Sequence, residues 1–163
     1  MNKSILNFKS YAPVLSLGVL SLLFIFSNSA NAGQCLTPPE VGTWLNHDTN
    51  TGGVTKVVID MDCVDDTQSS CSGGICTIVH GVKPIYTVKV WGKCHPTDCY
   101  WGKVEGVYTS ADWMRFFYDK SWVFRTVWGQ TWPGDRNWLR VIVDSDYADS
   151  RPDHRFDGWF RKQ

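Results

Sequence analysis

The chain has 163 residues, 16 basic and 16 acidic side chains, 43% hydrophobic residues, six cysteines and nine tryptophans. That length supports one core and leaves no room for a second domain of ordinary size. A balanced charge without basic runs excludes the electrostatic footprint of a nucleic-acid or anionic-lipid binder.

In chain order, Lys3 and Lys9 precede an apolar run from Val14 to Phe26, and Ser27-Asn28-Ser29-Ala30-Asn31-Ala32 ends in a small-residue Ala-x-Ala site. This pattern predicts a cleavable secretory signal over residues 1–32. The apolar run is 13 residues long, short of the ~20 needed to span a bilayer. Cleavage after Ala32 leaves residues 33–163 as a single domain with two more acidic than basic side chains and no further apolar span. Gln34 stands where a lipoprotein signal wants a small residue, which argues against acylation of Cys35.

Cys35, Cys63, Cys71, Cys76, Cys94 and Cys99 all follow that site, an even number expected in an oxidising compartment to form three disulfides. Cys71/Cys76 and Cys94/Cys99 each enclose four turn-forming residues, a pattern that favours these two bridges and leaves Cys35 for Cys63. The rival is a metal site built from Cys94, His95, Asp98 and Cys99, whose spacing departs from the usual zinc knuckle. No metal and no cofactor is expected.

Beyond Pro38-Pro39, Val41 to Asn46 reads as a first strand and His47 to Gly53 as a polar turn. In Val54 to Asp62, Thr55, Val57, Ile59 and Met61 make one apolar face, with Lys56, Asp60 and Asp62 on the other. From Cys63 to Gly81 the composition turns to Asp, Ser, Gly and Thr, a stapled loop with a short strand at Ile75 to Val79.

Next comes Trp91-Gly92-Lys93-Cys94-His95-Pro96-Thr97-Asp98-Cys99-Tyr100-Trp101-Gly102-Lys103, a disulfide-clamped hairpin with Pro-Thr-Asp turn chemistry. Direct pairing of Cys94 with Cys99 would mix valines with Lys103 and Glu105 on one face. A one-residue shift instead sets Tyr86, Val88, Val90 and Gly92 opposite Tyr108, Gly106, Val104 and Gly102 as an inner face. Lys89 then faces Glu105 outside. The same register places Trp91 and Trp101 together on the outer face and leaves the inner face bare at Gly92 and Gly102.

Met114 to Tyr118, Ser121 to Trp128, Asn137 to Asp144 and His154 to Arg161 are four more strand-length segments, with a single helical turn expected near Ser110 to Trp113. About eight strands joined by short turns predict an all-β antiparallel meander barrel, since closure removes both exposed edges. The alternative is a β-sandwich. Which face of Ser121 to Trp128 points inward stays open.

Two resemblances follow. Gly42-Thr43-Trp44-Leu45-Asn46 and Phe160-Arg161 resemble the calycin pattern of lipocalins and avidins. There, a Gly-x-Trp first strand packs against a terminal arginine, and in avidin-like proteins an Asn at the place of Asn46 enters the pocket. Asn46 to Lys56 and the segment Trp91 to Gly102 also resemble a group of small secreted bacterial proteins sharing a Trp-Gly-x-Cys-His-Pro-Thr-Asp-Cys-x-Trp-Gly hairpin. That resemblance implies a common fold and no mechanism.

Hydrolytic chemistry finds no Gly-x-Ser-x-Gly elbow, and His47, His80, His95 and His154 are isolated. Asp144, Asp146, Asp149 and Asp153 lack the glycine and terminal glutamate of an EF-hand. The tryptophans are the functional signal, because an indole suits both an apolar pocket and a sugar face. Trp44, Trp138 and Trp159 are expected to be structural. The expected function is a non-enzymatic, secreted or periplasmic binding protein with a small molecule or glycan as partner. A small, partly apolar ligand would sit in the barrel interior or mouth, lined by Trp44, Asn46, Tyr86 and Tyr108. The alternative is a glycan- or protein-binding outer surface around Trp91, Tyr100 and Trp101.

Overall fold

A computed structural model describes residues 35–163; the predicted signal lies outside them. Ten strands form: β1 (Gly42–Asn46), β2 (Val54–Asp65), β3 (Gln68–Ser72), β4 (Ile75–Val79), β5 (Val82–Gly92), β6 (Cys99–Tyr108), β7 (Met114–Lys120), β8 (Val123–Trp132), β9 (Asp135–Tyr147) and β10 (His154–Lys162). Eight of them close an antiparallel barrel in the order β1-β10-β9-β8-β7-β6-β5-β2, and β3 pairs with β4 alone. The meander is thus interrupted once, between β2 and β5, and β1 against β10 shuts it. Closure leaves no barrel edge to template aggregation. Among the described residues, no helix is long and apolar enough to cross a membrane.

All three bridges form as the spacing favours: Cys35–Cys63, Cys71–Cys76 and Cys94–Cys99. They suit an oxidising compartment. Cys71 and Cys76 are direct cross-strand partners in the β3–β4 hairpin, whose residues are all exposed. Ser110 to Trp113 is a turn and not a helical one, closed by Thr109 N–H donating to the Trp113 carbonyl at 2.8 Å.

The core fills the middle of the barrel with Trp44, Val57, Ile59, Val88, Val90, Met114, Phe116, Leu139, Val141 and Phe160, each at most 1% exposed. The alternation along β2 departs from expectation at its start. A bulge between Val54 and Lys56 leaves Thr55 unpaired, turns Val54 inward and lets the Thr55 hydroxyl donate to the Trp91 carbonyl at 3.2 Å.

One end of the barrel is plugged. The turn at Pro38 to Val41 folds Glu40 under the strands, where the carboxylate is buried. Its Oε1 accepts from the Thr131 N–H at 2.9 Å and the Thr131 hydroxyl at 2.6 Å, while Oε2 accepts from the Tyr108 hydroxyl at 2.9 Å. The Glu40 carbonyl takes the Trp44 indole N–H at 2.7 Å. Lys162 Nζ, donating to the Pro39 carbonyl, lies 5.1 Å from the Trp44 ring. The terminal cation beside Trp44 is thus Lys162, not the expected Arg161. Arg161 points outward, over Trp138 at 4.6 Å.

The β5–β6 register corrects the expected one. Tyr86 pairs with Gly106 and Val88 with Val104, two residues away from the sum that the inner-face match predicted. Lys89 therefore faces Lys103, not Glu105, and finds its partner in Asp60 of β2, 3.0 Å from Nζ. Between Lys89 and Trp91 the register slips again: Val90 stands against both Trp101 and Gly102. Gly102 takes φ +106°, a region that side chains avoid. That bulge turns Trp101 into the barrel while Trp91 stays outside and Tyr100, 52% exposed, sits at the rim of the open end.

Candidate functional site

The end opposite the Glu40 plug is formed by the β1–β2, β5–β6, β7–β8 and β9–β10 connections. There the core stops short and leaves a cavity of about 650 Å³. That volume lies within the range of small-molecule sites, ~300–1,000 Å³.

Trp101, Tyr118 and Val143 form its inner wall. The Trp101 indole fills the inner face at Gly92, where a Cβ would meet it at 2.9 Å, so the bare spot expected there accommodates a side chain. Tyr118, 1% exposed, meets the Trp101 ring edge-on at 6.1 Å. Its hydroxyl stands 3.2 Å from the Val88 carbonyl and 3.0 Å from that of Gly102, so it holds the bulge in place. Burial pushes the Tyr118 phenol well above the ordinary tyrosine range.

The remaining wall comes from residues far apart in sequence. Phe156 and His154 belong to β10, Ser145 and Tyr147 to β9, Arg125 to β8, and Lys120 to β7, while Gly53, Val54, Gly92 and Lys93 lie at the ends of the first and third barrel hairpins. The face of β8 left open by sequence is settled: Val123 and Val127 are buried, Arg125 shares their side at the cavity, and Phe124 is exposed outside. The Arg125 guanidinium carbon lies 4.5 Å from the Trp101 ring centre and 5.2 Å from that of Trp122. Trp122 stands at the rim, stacked with Tyr147 at 6.3 Å, and Arg151 caps the stack 4.4 Å from Tyr147.

Arg151 is held by Asp149 through a bond of 2.6 Å, which keeps the Asp149 carboxyl at about 2. Asp144 pairs with Arg155, and Asp153 accepts the Tyr147 N–H at 3.2 Å. Asp144, Asp149 and Asp153 are therefore committed to local partners. Among the described residues, no three potential ligands converge to hold a metal.

The residues expected to line an interior site divide. Trp44, Tyr86 and Tyr108 lie toward the plugged end, the two phenols edge-to-face at 5.9 Å, and they do not border the cavity. Burial raises the Tyr108 phenol first, and its bond to Glu40 raises it further. Asn46 sits at the correct end but acts on the chain: its Nδ2 donates to the Val54 carbonyl at 2.7 Å and its Oδ1 accepts from the Asp48 N–H at 2.8 Å. It thereby shapes the β1–β2 turn whose Gly52, Gly53 and Val54 face the cavity.

The expected outer pair of tryptophans is broken by the bulge. Trp91 instead packs against Tyr100 at 5.0 Å with the rings tilted by 33°, Lys56 Nζ lies 3.7 Å above the Trp91 ring, and Trp101 is inside. A second aromatic feature, absent from the sequence reading as a site, lies on the outer face of β8–β10. Trp132, Trp138, Trp159 and His47 enclose a cleft of about 320 Å³, with Trp132 52% and Trp159 38% exposed. Trp138 and Trp159, expected to be structural, are on the outside because Leu139 and Phe160 take the inward positions beside them.

No family model, no curated protein and no solved structure matches the chain.

Proposed function

We propose that this chain is a secreted or periplasmic, non-enzymatic binding protein that holds a small, partly apolar molecule in the cavity at the barrel mouth. The observation that carries this reading is the contrast between the two ends. One is plugged by Glu40 and Trp44 with its polar atoms bonded, and the other keeps about 650 Å³ open against Trp101 and Phe156. A domain with enough aromatic side chains to fill that space has left it unfilled, although packing to full density would stabilise it.

Native mass spectrometry of protein exported into an oxidising compartment tests the proposal. A non-covalent adduct that is lost on denaturation, and lost in Ser145→Phe and Val143→Phe variants that fill the cavity, is the expected result. A clean protein mass, or an adduct indifferent to both variants, overturns it.

A second reading rests on the outer cleft. Exposed indoles at Trp132 and Trp159 set 5.6 Å apart offer the flat apolar faces that stack on pyranose rings. Retention on immobilised glycans that is lost in Trp132→Ala with Trp159→Ala, and kept in Ser145→Phe, would favour it. Retention lost instead in Trp91→Ala with Tyr100→Ala would move the surface to the hairpin pair.

A further inference from the structure

We infer that the molecule held at the barrel mouth is an anion, with a carboxylate, sulfonate or phosphate group on Arg125 and a planar apolar body against Trp101 and Phe156. This rests on the cavity being a ligand site and adds the ligand's charge.

The basic side chains lining the cavity are Lys93, Lys120, Arg125 and His154, and no aspartate or glutamate lines it. Overall charge does not explain this, because residues 33–163 carry two more acidic than basic groups. The carboxylates beside the lining are Asp153, which takes the Tyr147 backbone N–H at 3.2 Å, and Asp98, 3.9 Å from Lys93 Nζ.

Arg125 is the half-buried one among the arginines without an ion pair, since Arg115 and Arg136, equally unpaired among the described residues, are exposed. Arg140, Arg151, Arg155 and Arg161 each pair with an aspartate. Arg125 is half-buried and, among the described residues, has neither an ion pair nor a hydrogen bond; two indoles hold it instead. A guanidinium over ring faces keeps its in-plane N–H donors free, and those donors match an oxyanion in a bidentate fork. Withdrawing that cation from water is unfavourable until an anion compensates it. The cavity therefore supplies a fixed cation, aromatic walls and hydroxyls at Ser145 and Tyr147, with no carboxylate in its lining.

Two fluorescent probes isolate the charge: 8-anilinonaphthalene-1-sulfonate and N-phenyl-1-naphthylamine, which is the same ring system without the sulfonate. The sulfonate is expected to bind at one site at least about tenfold more tightly than the neutral probe, the worth of a charge-assisted hydrogen bond. Arg125→Gln should remove that preference and leave the neutral affinity within about twofold. Should Arg125→Gln fail to fold, Lys120→Gln at an exposed position should still weaken the sulfonate several-fold and spare the neutral probe. Ser145→Phe should exclude both. Equal affinities, or equal losses for both probes in Arg125→Gln, overturn the anion assignment while the cavity reading stands. No binding by either probe, or binding that survives Ser145→Phe, overturns the cavity reading itself.

Discussion

The Trp101 indole lies over Gly92 so closely that a Cβ at position 92 would fall 2.9 Å from the ring. The contact exists because Gly102, at φ +106°, doubles the backbone opposite Val90 and turns Trp101 inward. Two glycines on neighbouring strands thus set where the packed core ends and the cavity begins. Gly92→Ala should cost about 1–3 kcal/mol by overpacking, and Gly102→Ala a similar amount through backbone strain. Urea unfolding gives the loss, and near-ultraviolet circular dichroism should report the displaced indole. An unchanged midpoint in both variants would mean that the bulge does not hold Trp101.

Glu40 is the second determinant of the barrel's polarity. Its carboxylate accepts from the Thr131 N–H, the Thr131 hydroxyl and Tyr108. Glu40→Ala leaves these donors unpaired under the sheet and should cost about 3 kcal/mol or more. Tyr108→Phe removes one of the three bonds and should cost about 1 kcal/mol. The same urea series ranks the two, and a Tyr108→Phe loss equal to that of Glu40→Ala would contradict the network.

Alkaline conditions should weaken the fold through Tyr108 and Tyr118. Burial raises both phenols above the ordinary value of 10.0, and the bond to Glu40 adds to the rise at Tyr108. A group that holds its proton more tightly in the folded chain contributes stability that is complete below the unfolded value and is lost as pH rises toward the folded one. The urea midpoint should accordingly stay level up to about pH 10 with respect to these groups and fall above it. In Tyr118→Phe that fall should be shallower, and an equal slope in both proteins would remove Tyr118 from the account.

Much of the barrel was legible from residues alone because its signals are local. Alternation in Val57, Ile59, Val88 and Val90 marks inward faces, and Cys71/Cys76 and Cys94/Cys99 enclose turns short enough to bridge. Register was less legible, since matching faces across the Cys94–Cys99 loop assumes that both arms count residues evenly. Trp101-Gly102 adds an unpaired residue, and its signal was a glycine beside a bulky aromatic in a strand. Glu40 and Arg125 were missed for another reason. Glu40 meets Thr131 at a separation of 91 residues, and Arg125 alternates with valines on a strand whose inward face only the closed barrel decides. The cavity itself is assembled from four connections distant in sequence, which no local pattern brings together.

The disulfides should separate barrel stability from hairpin stability. Cys35–Cys63 closes a separation of 28 residues and ties the segment leading to the Glu40 plug onto β2. In the chain-entropy account its loss should destabilise by about 3.5 kcal/mol. Cys71–Cys76 spans 5 residues in a hairpin that is exposed throughout and pairs with no barrel strand. Its constraint falls on local opening of β3–β4, so replacing both cysteines with serine should leave the barrel's melting temperature almost unchanged. Faster amide exchange should follow in Gln68 to Val79 alone. Calorimetry of the two double-serine variants, with hydrogen exchange on the second, checks the contrast. A large melting shift from the hairpin pair would show that β3–β4 supports the barrel after all.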